Sequence, residues 1–183
     1  MEPIEPGEQR PESTPLSRDE RFVAGVLKLC GENKGMAAHL RRADNPATEY
    51  QSWEFLAAYG IDLEREHERL PFVTVAAAIA KAKSERNGSL GLGRAVAACY
   101  ENGNSSDQAK ARLRRLLACD ELPELCRILR PLLSLIDSKV GAGLDHVRLL
   151  GQLRRFAFDP QRVRAQWAQE FYGQLKRVEE KSA

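Results

Sequence analysis

The side chains best suited to chemistry in this sequence are arginines, and they are concentrated in its second half. Residues 81–177 hold 18 Lys or Arg against 10 Asp or Glu, a formal charge of +8, whereas residues 1–80 hold 9 against 14, a charge of −5. A planar guanidinium suits phosphate well, so this imbalance favours a polyanionic partner. The same charges would also suit solvated helix faces, and charge alone does not decide between the two.

Several of these arginines stand beside leucines at helical spacing. Three pairs recur in this way, namely Arg112 with Arg115, Arg127 with Arg130, and Arg154 with Arg155. The first two pairs are three residues apart and so lie on one side of their helices, whereas Arg154 and Arg155 are adjacent and follow Leu153. Each pair is predicted to form a cationic rim along a packed helix. If the rims converge, they form a groove that binds several phosphates with little sequence preference and strong salt dependence. A helix-turn-helix DNA-binding regulator is the alternative, although no recognition helix behind a tight turn is evident.

Motifs for catalysis, cofactors or metals are not found in the sequence. It has no phosphate-binding glycine loop followed by Lys-Ser or Lys-Thr, no H-E-x-x-H and no nucleophile elbow. G-L-G-R-A-V, from Gly91, is a fragment of a dinucleotide fingerprint with no strand before it. The cysteines, at 30, 99, 119 and 126, lack C-x-x-C spacing and are predicted to be buried thiols in a reducing compartment. We therefore expect a protein that is not an enzyme and holds no metal or cofactor.

The amino-terminal sequence and the hydropathy pattern indicate a cytoplasmic protein. M-E-P-I-E-P-G-E lacks the basic start and apolar stretch of a secretory signal. No segment approaches the roughly 20 apolar residues that span a bilayer, so no membrane association is expected.

Apolar residues recur with helical period throughout, which predicts an all-α fold of two small packed helical bundles. S-R-D-E, from Ser17, is typical of a capping box, and Ser106 or Asp107, Asp145 and Asp159 are predicted to cap later helices. Pro131 is expected to kink or break its helix, and Pro71 to open or kink another.

The aromatic residues Tyr50, Trp53 and Tyr59 share a predicted helical stripe with Leu56. We expect them in the core rather than on a base-stacking surface, because they follow the amphipathic pattern.

Composition divides the chain into three parts. Residues 1–16 read as a disordered acidic, proline-rich extension. An N-terminal helical subdomain, 17–103, and a C-terminal basic helical subdomain, 104–178, follow, separated by the polar stretch E-N-G-N-S-S-D.

Five short motifs then resemble one known family. They are H-L-R-R from His39, L-G-R-A-V-A from Leu92, R-R-L-L from Arg114, L-D-H-V-R-L-L from Leu144 and W-A-Q-E-F-Y from Trp167. Their order and spacing, over about residues 20–172, are similar to CasB, the small subunit of type I-E CRISPR Cascade.

The resemblance implies a two-lobed, non-catalytic helical protein that associates head to tail with copies of itself and binds other Cascade subunits. It implies that the protein holds guide RNA and target DNA and stabilises the opened R-loop in antiviral defence. The nucleic-acid contacts that it implies are Arg41, Arg42, Arg94, Arg112 and Arg130, with further support from Lys81, Lys83, Arg115, Arg127, Arg154 and Arg155. Two features depart from the family pattern: the acidic extension, and Pro131 where a second basic residue is expected. A helical scaffold or adaptor that binds only protein stays the alternative from a different class.

Overall fold

Nine α-helices make up the described part of the computed structural model, which covers residues 15–141 and 143–173. They are α1 (Arg18–Glu32), α2 (Lys34–Arg42), α3 (Trp53–Ala58), α4 (Glu66–Ala82), α5 (Leu92–Ala98), α6 (Asp107–Leu117), α7 (Leu122–Val140), α8 (His146–Phe156) and α9 (Pro160–Tyr172). Two 3-10 segments, Pro46–Ser52 and Gly103–Ser105, precede α3 and α6. Residues 1–14 of the predicted extension and 174–178 of the predicted C-terminal subdomain lie outside the described residues.

The helices begin where their capping residues predict. The Ser17 hydroxyl accepts a hydrogen bond from the Glu20 amide at 3.2 Å, and the Glu20 carboxylate accepts one from the Ser17 amide at 2.7 Å, so the capping box is present. Ser106, Asp145 and Asp159 likewise accept hydrogen bonds from amides in the first turns of α6, α8 and α9. These caps satisfy amide groups that have no partner within the helix.

The helices pack as two bundles, and the predicted all-α fold class is confirmed. In the first bundle α4 contacts α1, α2 and α3; in the second, α5 to α9 pack on one another. The bundles meet where α4 lies against α7 and α8, and buried apolar side chains run through both as one cluster. Although α5 precedes the predicted boundary at residue 104, it packs on α6, α7 and α9. That boundary stays a prediction.

Neither proline interrupts its helix. Helix α7 continues through Pro131, and α4 begins five residues before Pro71 instead of at it. A proline inside a helix removes one hydrogen bond and costs about 3 kcal/mol. Burial offsets this cost, because α7 buries Leu125, Leu129 and Leu132 around Pro131 and α4 is buried almost continuously from Leu70 to Ala77.

The aromatic residues do not all enter the core, which corrects the prediction from their spacing. Tyr50 is 59% exposed and Trp53 is 40% exposed, whereas Leu56 is fully buried. For Tyr50 the reason is local: it lies in the 3-10 segment Pro46–Ser52, in which the side chains do not follow the α-helical stripe. Trp53 is the first residue of α3 and lines the same surface groove as Tyr50. Tyr59 lies at the edge of the core, with its ring centroid 5.3 Å from that of Phe22.

The glycines of G-L-G-R serve packing between α5 and α9. The Gly93 amide donates a hydrogen bond to the buried Glu170 carboxylate at 2.9 Å, and a Cβ at Gly93 would lie 2.3 Å from the Trp167 carbonyl oxygen. Glu170 also accepts from Gln152 at 3.1 Å and pairs with Arg148 at 2.7 Å. This carboxylate therefore ties α5, α8 and α9 together.

Candidate nucleic-acid interface

Three predicted arginines on neighbouring helices line one groove. Arg112 and Arg115 on α6 and Arg127 on α7 surround a space of about 130 Å³ whose floor is formed by Ile128, Pro131 and Leu132. We call this surface, defined by those six residues, the arginine groove. Leu113 and Leu116 enter the core from α6, and Arg112 and Arg115 flank this apolar stripe with their side chains exposed. The first two predicted rims therefore converge at Arg112, Arg115 and Arg127.

The guanidinium groups of the arginine groove are largely free of acidic partners. Arg112 and Arg115 form no ion pair with any described residue, and both are exposed. Arg127 is 66% exposed and faces Glu124 at 3.7 Å, an exposed pair of the kind that contributes little. Three cations with little local neutralisation attract phosphate more strongly than paired ones do.

Arg130 differs from Arg127 although both face the same side of α7. Its side chain is only 13% exposed, and its Nε lies 3.6 Å from Asp44 of the first bundle. Lys81 pairs with the same carboxylate, and Asp137 lines the surrounding groove of about 290 Å³. The two cations therefore meet two carboxylates, and Arg130 contributes to packing between the bundles.

Arg41 and Lys83 line a separate, larger groove. It has a volume of about 880 Å³ and lies between the carboxyl-terminal half of α1, α2 and the end of α4. Lys28 and Lys34 also line it, together with Glu32 and Glu85. Neither Lys28 nor Lys34 was predicted from the sequence, because both lie in the half of the chain whose total charge is negative.

The remaining predicted site residues lie outside these three grooves. Arg42 is exposed at the end of α2, Arg94 on α5 and Arg155 on α8. Arg154 is partly exposed but already engaged: it pairs with Asp19 of α1 and lies over the Phe72 ring with its guanidinium carbon 5.5 Å from the centroid. In the third predicted rim, Arg154 therefore forms a contact that joins the bundles, and Arg155 alone is exposed without such a contact.

The cysteines and other metal-binding residue types are dispersed. Within residues 15–141 and 143–173, no group of three or more His, Cys, Asp or Glu is arranged to hold a metal ion. Cys99, Cys119 and Cys126 are buried as predicted, whereas Cys30 is half-buried. Burial raises the pKa of Cys126 to about 11, so this thiol stays protonated at neutral pH. None of the described helices is long and apolar enough to cross a bilayer.

Comparison with known proteins identifies the family. Residues 36–172 match the family model of the CRISPR-associated protein Cse2. The chain is 34% identical over 173 residues to a CRISPR-associated protein Cse2 of Thermus thermophilus, an alignment that covers 91% of this chain and 96% of that one.

Solved structures show the same fold. M. ruber CasB superposes with a TM-score of 0.72 at 25% identity, covering 92% of this chain and all of that one. A chain of a CRISPR RNA-guided surveillance complex superposes with a TM-score of 0.66 at 23% identity, covering 91% and 98%. The resemblance inferred from the five motifs is confirmed, and the chain belongs to the Cse2 family of CRISPR-associated proteins, to which CasB also corresponds.

Proposed function

We propose that this chain is the small, non-catalytic subunit of a cytoplasmic CRISPR Cascade complex, and that it binds nucleic acid through the arginine groove. The observation that carries the proposal is the convergence of Arg112, Arg115 and Arg127, from two helices, on one surface. Family membership supports the complex, since a chain of similar fold occurs in an RNA-guided surveillance complex.

The chemistry of the groove favours contacts with the backbone. Guanidinium groups bind phosphate oxygens of any sequence, and an apolar floor offers no donors or acceptors to distinguish base edges. In a Cascade complex such a groove would hold guide RNA and target DNA and stabilise the opened R-loop. Other Cascade subunits, and further copies of the chain arranged head to tail, would bind the same RNA or DNA strand beyond the end of this groove. Arg41 and Lys83, with Lys28 and Lys34, offer a second cationic surface for the same purpose.

The test is a salt series on the full-length chain. Replacing Arg112 and Arg127 together with Ala should weaken binding to single- and double-stranded DNA at least tenfold. The slope of log Kd against log salt should flatten by about 0.7 to 0.9 for each phosphate that the variant no longer neutralises. Fluorescence anisotropy with labelled oligonucleotides, across a series from low to high salt, measures both quantities.

Arg114→Ala is the matched control for this test. Arg114 is exposed on the same helix but lies outside the groove, so its removal should leave the slope unchanged. A double variant that binds with the wild-type slope would show that the groove is ordinary solvated surface. Copurification with stable protein partners but without any nucleic acid would support the scaffold or adaptor alternative.

A further inference from the structure

A second groove adjoins the arginine groove and carries two of the aromatic side chains that the core leaves exposed. Tyr50 and Trp53 line a space of about 650 Å³ between the Pro46–Ser52 segment and the first turns of α4 and α7. We call it the aromatic groove; Pro46, Pro123, Arg127 and Arg130 also line it. Neither ring pairs with another aromatic ring among the described residues, and both side chains are exposed, so a ligand can reach them.

The segment that carries Tyr50 is held firmly in place. Glu49, only 7% exposed, accepts a hydrogen bond from the Arg69 Nε at 2.6 Å, and the Arg69 guanidinium also donates to the Leu63 carbonyl oxygen. On the other side, the Thr48 hydroxyl donates to the Arg42 carbonyl oxygen at 2.6 Å. A surface fixed in this way loses little conformational entropy when a ligand binds.

Arg127 joins the two grooves, because it lines both. Of the carboxylates near it, Glu124 forms the exposed pair at 3.7 Å, Glu49 is paired with Arg69, and Glu66 lies exposed in the first turn of α4. A phosphate backbone bound along Arg112 and Arg115 would therefore reach Arg127 and then the two aromatic rings.

We infer that Tyr50 and Trp53 form a stacking surface for the unpaired bases of a single strand whose phosphates follow the arginine groove. This inference rests on the proposed function. Open aromatic faces beside a cationic groove are the combination by which proteins bind single strands without reading their sequence. A duplex keeps its bases stacked inside, so it uses the arginines alone. A protein partner would also cover exposed aromatics, but the continuity through Arg127 favours nucleic acid.

Tryptophan fluorescence gives a direct readout, because the chain has two tryptophans and Trp167 is fully buried. Adding a (dT)20 oligonucleotide to the full-length chain should quench emission from Trp53. The quenching should disappear in the Trp53→Phe variant, which keeps an aromatic ring and should still bind the oligonucleotide. Duplex DNA of the same length should bind with little quenching.

Affinities of the Trp53→Ala variant then separate this inference from the proposed function. We expect single-strand binding to weaken about fivefold or more, the effect of losing one stacked base, and duplex binding to change less than twofold. Circular dichroism melts of both Trp53 variants establish that they fold. If single strands bind the Ala variant normally, or quench nothing in the wild type, the inference fails while the proposed function stands. If the wild-type chain binds neither ligand, both fail.

Discussion

At the scale of single residues, His146 is the clearest case of a titratable group whose burial has a measurable effect. It is 3% exposed in the first turn of α8, and its Nδ1 has no hydrogen-bond partner among the described residues. Burial lowers its pKa to about 4, against a smaller opposing effect of Asp145. The folded protein therefore holds this imidazole neutral at a pH where the unfolded chain would protonate it.

Stability should consequently fall as the pH drops from about 6.5 to 4. In this window the unfolded state binds a proton at His146 that the folded state excludes, which costs up to about 3 kcal/mol of unfolding free energy below pH 4. Urea denaturation at several pH values measures the loss. The His146→Asn variant should lose less stability over the same interval, and an equal loss in both proteins would contradict the prediction.

Arg127 and Arg130 show what spacing can and cannot predict for a single side chain. The two arginines lie three residues apart beside Leu125 and Leu129, and the sequence predicts that both contact nucleic acid. In the structure Arg127 is 66% exposed, whereas Arg130 is 13% exposed against Asp44. Helical period places a residue on a face, but only the packing of the other bundle determines whether that face is covered.

At the scale of elements, the contact between α5 and α9 depends on the absence of a side chain at Gly93. We expect Gly93→Ala to lower the free energy of unfolding by about 1 to 3 kcal/mol, since the new methyl group would meet the backbone of α9. Thermal melts followed by circular dichroism test this.

Gly31→Ala is the control for the Gly93 variant. A Cβ at Gly31 meets no described atom within 4 Å, so Ala there should be neutral or should stabilise α1 by up to about 1 kcal/mol. Equal effects of the two substitutions would show that close approach to α9 is not the role of Gly93.

The predictability of each element depended on how local its determinants are. The caps at Ser17, Asp145 and Asp159 were predicted because a cap and its amide lie within three residues of each other. The continuity of α7 through Pro131 was not predicted, since it results from the burial of leucines against other helices. Helical period alone had assigned Tyr50 and Trp53 to the core, but Tyr50 lies in the 3-10 segment before α3, Trp53 is the first residue of α3, and both are exposed.

At the scale of the whole molecule, we predict that the fold does not depend on residues 1–16. Helix α1 is capped at its amino terminus by its own capping box at Ser17, and Leu16 is 57% exposed. A chain beginning at Ser17 should keep its helicity, with a Tm within about 2 °C of the full-length protein. Circular dichroism melts of the two chains decide this, and a clearly lower Tm would show that the extension packs on the fold.

Two of the motifs that indicated the family lie together in the structure. L-G-R-A-V-A and W-A-Q-E-F-Y meet where Gly93 donates to Glu170, so both contribute to packing between α5 and α9. The surface that we propose to bind nucleic acid was only partly predictable. Total charge pointed to the second half of the chain, but Lys28 and Lys34 face a cationic groove from the first half.

The hydrogen bond from Gly93 to Glu170 spans 77 positions in the chain and has a consequence for biosynthesis. Helix α5 leaves the ribosome long before α9, the helix that covers it. At a synthesis rate of roughly 5 to 20 residues per second, the apolar side chains of α5 that pack on α9 stay uncovered for about 4 to 15 seconds, until α9 is synthesised. The second bundle can therefore close only after α9 has been synthesised. During this interval the nascent chain exposes a surface suited to a chaperone.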